Sequence, residues 1–187
     1  MTESNRRSAY RPGPLGRVEA TSEGDRWTLT FVREFPHSPS ALWTALTDPA
    51  ELPQWAPYTA SRNLGTLGPA TLVMVDGEER TELDGNVTRA DAPHVLEHAW
   101  GDDVLHWQID ETESGTRLTL RHTLDDKRTT AMTAAGWHMC FDVAEALLGG
   151  SPIGPIVGGD AMNYGWRELN EQYSALLGVE PIDPTLE

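Results

Sequence analysis

The hydrophobic period of this chain changes once, near Asp125, and that change constrains the fold more than any motif. From Arg26 to Leu124 the apolar residues come in short alternating runs. RWTLTFVREF (26–35) puts Trp27, Leu29, Phe31 and Phe35 on one face, the period-two signature of a strand with one buried side. Further strand-like runs follow at 70–75, 80–89, 94–100, 103–110 and 116–124. Turn signals lie at Asp76-Gly77, Gly101-Asp102 and Glu113-Ser114-Gly115, with a bend or bulge expected at Gly85. From Thr129 to Leu148 apolar residues recur instead at helical spacing. Met132, Ala135, Met139, Val143 and Ala146 lie on one side, with Trp137, Phe141, Ala144 and Leu148 beside them. So wide a stripe predicts a helix largely enclosed by the sheet.

The expected architecture is therefore α+β: a curved antiparallel sheet of six to seven strands wrapped on a long C-terminal helix. Two short helices follow the first strand, the first capped by Ser38 with Pro39 at its first position. Gly149-Gly150 stops the long helix, and a last helix is expected from Ala161 to Leu177, ending at Gly178. Residues 1–24 read as a flexible lead-in, 25–178 as one domain and 179–187 as a tail.

Composition narrows the function classes. The 187 residues carry a formal charge of −15, a field that repels phosphate backbones and argues against nucleic-acid binding. One lysine, Lys127, restricts Schiff-base chemistry to a single residue, and one cysteine, Cys140, excludes an intrachain disulfide or a multi-cysteine zinc site. His138, Cys140 and Asp142 do not converge on a metal, because position i+2 of a helix lies nearly opposite position i. No metal and no cofactor is expected. No run is long enough to span a bilayer and the first 25 residues lack an apolar core, so a cytoplasmic chain is the default expectation. Nucleophile-elbow, zincin, P-loop and dinucleotide signatures are missing from the sequence, which lowers the weight of an enzymatic reading.

Three separated blocks carry a family likeness. FVREFPHSPSALWTALTDPAELPQW, GWHMCFDVAEALLGG and GWRELNEQY, in that order, resemble the activator-of-heat-shock-protein-90-ATPase homologue-like family. The likeness extends over residues 26 to 177; the lead-in lies outside the pattern. It implies the START-like helix-grip superfamily, with a hydrophobic cavity between sheet and long helix. It also implies an apolar ligand (a lipid, sterol or polyketide-like molecule), and, from the family name, a stress-related chaperone partner. Some relatives are cyclases or dehydratases, which makes that enzyme class the alternative. Exposed edge strands leave homodimer pairing open.

If the concave face takes the apolar side of each strand, alternation assigns the ligand-binding wall. Leu96, His98 and Trp100 fall together, as do Leu105 with Trp107 and Leu120 with His122; Met132, Met139 and Val143 face them from the helix. Trp55 and Tyr58 are expected to close the mouth. His98 and His122 are the candidate catalytic residues, since a buried neutral imidazole can bond a ligand carbonyl or act as general base. For both, the competing reading is a core histidine satisfied by a neighbour. His138 and Asp142, four apart, are expected to form a solvated pair on the outer face of the helix.

Overall fold

The alternating run at 26–35 forms the strand expected of it. A computed structural model describes residues 2–76 and 79–182. In it Arg26–Phe35 is β2, preceded by a short helix α1 (Glu3–Ala9) and a strand β1 (Arg17–Glu23). β1 pairs antiparallel with β2 over its whole length, from Arg17 opposite Val32 to Glu23 opposite Arg26. Part of the expected lead-in is thus an edge strand. Its alternation was hidden because only one side of an edge strand needs apolar residues, and β1 supplies few.

α2 (Pro39–Thr47) is capped by the Ser38 side chain and followed by a 3-10 turn at Leu52–Gln54. The strands β3 (Tyr58–Ala60), β4 (Thr71–Asp76), β5 (Glu79–Asp84), β6 (Val87–Asp91), β7 (Val95–Trp100), β8 (Asp103–Thr112) and β9 (Gly115–Leu124) follow. They divide into two antiparallel sheets, a six-stranded one in the order β1-β2-β9-β8-β7-β6 and a three-stranded one in the order β3-β4-β5. The run at 80–89 is therefore two strands in different sheets. Gly85 is the crossing point, where a Cβ would stand 2.6 Å from Leu72 Cγ. The expected turn at Asp76-Gly77 falls partly on residues 77–78, outside those described.

The concave face of the larger sheet is apolar and filled. Leu29, Phe31, Leu96, Leu105, Trp107, Ile109 and Leu120 have no exposed surface. α3 (Thr130–Leu148) lies across them and buries 11 of its 19 residues, as the wide stripe requires. The final segment departs from the single helix expected. A 3-10 helix at Gly158–Tyr164 ends at Gly165, whose φ of +93° breaks the rod, and α4 (Trp166–Leu177) then packs on the outer side of α3.

That packing corrects the solvated pair. His138 is fully buried and the Asp142 side chain is 7% exposed, because α4 and residues 10–16 cover the face of α3 that a two-layer picture leaves open. Tyr173 Oη on α4 accepts from Gly16 N–H (2.9 Å) and donates to His138 Nδ1 (2.7 Å). His138 Nε2 lies 3.3 Å from Asp142 Oδ2. Asp142 also accepts from Tyr10 Oη and Gly13 N–H (both 2.9 Å) and from Arg33 Nη2 (2.6 Å). Burial alone would raise the Asp142 pKa. The contacts from His138 and Gly13 and the charge of Arg33 outweigh it and hold the carboxyl at about 2.

A depressed carboxyl contributes stability above pH 4 that is lost as pH falls towards 2. Asp142→Ala leaves the part-buried Arg33 guanidinium with Glu145 alone and takes the acceptor from two part-buried donors, Tyr10 Oη and Gly13 N–H. We expect it to cost about 2–3 kcal/mol in urea unfolding at pH 7 and to flatten the acid limb of the stability profile below pH 4. A loss under 1 kcal/mol would mean that the network is not what fixes residues 10–16 to the helix.

Candidate functional site

Where the concave face approaches the N-terminal half of α3 and the loop after it, the packing opens into a cavity of about 540 Å³. Trp100 from β7 and His122 from β9 form one wall, and Met132, Gly136, Trp137 and Met139 from α3 another. The mouth is made by residues 156–162, chiefly Ile156, Val157, Ala161 and Met162, with Trp166 beside them. A Cβ added at Gly136 would meet nothing within 4 Å, so this helix position faces open space.

Four of the expected wall residues line this space: Trp100, His122, Met132 and Met139. The other eight lie in the packed interior. Leu96, His98, Leu105, Trp107, Leu120 and Val143 have no exposed surface and fill the concave face against α3. Trp55 and Tyr58 do not reach the mouth: they are buried at 1% and 0% exposure, with the Trp55 indole N–H donating to Ala45 O at 2.9 Å. Alternation says which face a residue shares but not where along that face the packing stops. The loop at 156–162 carried no periodic signal, although its apolar Ile156, Val157 and Met162 among glycines were the trace of a buried loop.

The wall is aromatic and its indole donors are used internally. Trp137 meets Trp100 and Trp107 edge-on, each at 5.3 Å between centroids, and donates through Nε1 to His122 Nδ1 at 3.1 Å. Trp100 stacks on His122 at 4.8 Å and its Nε1 points to Met74 Sδ at 3.0 Å. That contact settles which side of β4 faces inward, namely Leu72 and Met74.

The two candidate histidines separate here. His98 Nδ1–H donates to Ala99 O at 2.8 Å and its Nε2 accepts from Trp107 Nε1–H at 3.2 Å. Both nitrogens are occupied, and burial lowers the pKa to about 4. His122 has Nδ1 occupied by Trp137, which leaves a proton on Nε2, 3.4 Å from Asp103 Oδ2 and without hydrogen-bond geometry. Burial lowers its pKa as well, outweighing the opposing pull of Asp103, so the ring is neutral at pH 7. Cys140, also on the wall, is pushed by burial up to about 12 and stays a thiol. The Tyr58 hydroxyl is buried with no hydrogen-bond partner. The cavity thus presents ring faces, thioethers and one neutral imidazole.

A helix gripped by an antiparallel sheet agrees with the comparisons to known proteins. The sequence model described as "Activator of Hsp90 ATPase homolog 1-like protein" matches residues 36–149. The chain belongs to this family. Similar solved structures include CalU16 from Micromonospora echinospora, in solution, with 18% identity and a TM-score of 0.64 over 90% of this chain and 97% of that one. EF2215 from Enterococcus faecalis, described as a conserved protein of unknown function, has 16% identity and a TM-score of 0.63 over 88% and 92%. A Rhodobacter sphaeroides protein is 23% identical with a TM-score of 0.58 over 72% and 99%. At these identities the likeness establishes the helix-grip fold. No curated protein sequence matches the chain. Among the described residues, no helix is long and apolar enough to cross a membrane.

A histidine whose pKa is lowered on folding is neutral in both states above its ordinary value near 6.5, and opposes folding progressively as pH drops from that value to the folded one, below which the cost is constant. His98 should therefore cost the native state on the order of 2–3 kcal/mol between pH 6.5 and pH 4. His98→Gln, which keeps an acceptor for Trp107, should remove that slope from urea midpoints measured across the same window. An unchanged slope would assign it to another group.

Proposed function

We propose that this family member binds an apolar small molecule, a lipid, sterol or polyketide-like compound, in the cavity between α3, the end of the sheet and the 156–162 loop. The observation that carries this reading is a wall of tryptophan, methionine and aliphatic side chains around about 540 Å³, within the size range of small-molecule sites. Burial of ligand surface at about 25 cal/mol per Å² supplies the driving force, and ring faces supply shape selection. The His122 ring, stacked on Trp100, adds an aromatic face to the wall, while its Nε2 is buried beside Asp103. His98 contributes only through the packing, because both of its nitrogens are engaged. The cyclase or dehydratase alternative requires His122 Nε2, now buried beside Asp103, to be uncovered by the substrate, and otherwise rests on the family resemblance. Chaperone partnership rests on the family's description alone.

Gly136→Leu tests the cavity directly. The side chain enters open space, and replacing a helical glycine adds roughly 0.5–1 kcal/mol of helix propensity. The expected result is a melting temperature equal to or above that of the parent, with affinity for the fluorescent probe N-phenyl-1-naphthylamine reduced at least about tenfold. Unaltered probe binding in a correctly folded variant would remove the cavity as the binding site.

A further inference from the structure

The mouth of the cavity is held from outside by the N-terminal segment. Residues 151–157 form no helix or strand. Pro152 and Pro155 have no N–H to offer, and Gly154 sits at φ +73°, so the loop cannot satisfy itself through a regular ladder. Its carbonyls are instead taken by two arginines of α1. Arg6 donates through Nε and Nη2 to Pro152 O, at 3.1 and 2.9 Å. Arg7 Nη1 reaches the carbonyls of Ile153, Gly154 and Pro155 at 3.1, 3.0 and 2.8 Å, and its Nη2 pairs with Asp160. The Arg7 guanidinium also lies over the Tyr164 ring, 5.4 Å from its centroid. Gly154 is needed for this approach: a Cβ there would stand 3.1 Å from Glu3 and 3.4 Å from Arg7.

The segment is anchored at its other end by the buried network on α3. Tyr10 and Gly13 bond Asp142, and Gly16 bonds Tyr173. Between the two anchors α1 buries no residue of its own. A helix that contributes nothing to the core, yet turns two guanidinium groups onto four successive carbonyls of one loop, is placed to restrain that loop. The loop runs directly into Ile156, Val157 and Met162 at the mouth. Both parts, residues 2–16 and 151–162, lie outside the family-model match, which covers residues 36–149.

We propose that residues 2–16 are a strap that sets access to the cavity by holding the 152–162 loop closed, with Arg6 and Arg7 as the clasp. The strap goes beyond ligand identity, although its use rests on the cavity being the binding site. Release of the clasp lets the loop lift from α3 while the sheet and helix stay in place. Because the Arg7–Asp160 pair is partly exposed, salt weakens the clasp.

The test is the full-length Arg6→Ala/Arg7→Ala variant, whose fold is checked by its melting temperature; the absence of buried residues in α1 predicts little change. Hydrogen exchange should rise on the order of tenfold or more at amides 156–162, with those of 134–143 in α3 unchanged. Quenching of tryptophan fluorescence by acrylamide, a small neutral probe of access to Trp100 and Trp137, should rise in parallel. Exchange at 156–162 equal to the parent overturns the strap. Raised exchange without added quenching overturns its role as a gate. Neither readout uses a ligand, so a cavity that ignores N-phenyl-1-naphthylamine would count against the proposed binding function and leave this result intact.

Discussion

Trp137 is the point at which sheet, long helix and cavity meet, and its contacts set the limits of all three. Its ring packs edge-on against Trp100 and Trp107 and stacks on Phe141 at 5.8 Å. These contacts tie α3 to the two strands β7 and β8 through rigid groups with few rotamers to lose. On the Phe141 side the interior is close-packed: Phe31, Phe35 and Trp55 all contact Phe141. On the other side α3 offers Gly136 and Thr133, which are too small to reach the sheet, and the space they leave is the cavity. One bulky residue preceded by small ones on the same helix therefore divides a filled core from an open site.

The two faces of α3 are held by different physics. The inner face relies on apolar burial, which is non-directional and tolerates a cavity. The outer face is held by a directional network centred on Asp142, in which each donor fixes the position of another chain segment. Tyr10 and Gly13 carry the N-terminal segment to that network, and the arginines of α1 carry it onward to the loop after α3. The N-terminal segment thus attaches to the polar side of the helix and comes round to the loop that borders the apolar side.

His98 and His122 occupy equivalent positions in the strand pattern, yet end in different chemistry. Both share a face with leucines and tryptophans, and both are buried. His98 lies beneath the aromatic cluster, where a backbone carbonyl and an indole take both nitrogens. His122 lies at the edge of that cluster, where the packing ends and one nitrogen has no donor or acceptor in hydrogen-bond geometry. The distinction depends on how far α3 and its aromatic rings extend along the sheet, a distance of one or two side chains.

Local pattern was enough to determine the central strands of the large sheet and the long helix laid against them. Period-two alternation at 26–35, 94–100, 103–110 and 116–124, followed by the helical period at 129–148, specified a sheet closed over one long helix. It also assigned the inward face of each strand, because side chains must alternate across a pleated backbone. Tertiary structure alone decided that four of the twelve expected wall residues border the cavity, while the other eight pack solidly. Only in three dimensions do Arg6 and Arg7 meet carbonyls some 146 residues away. Periodicity records which side of an element is turned from water; where two packed surfaces part, and which distant segment covers the gap, depends on the summed volumes and hydrogen-bond needs of residues far apart in the chain.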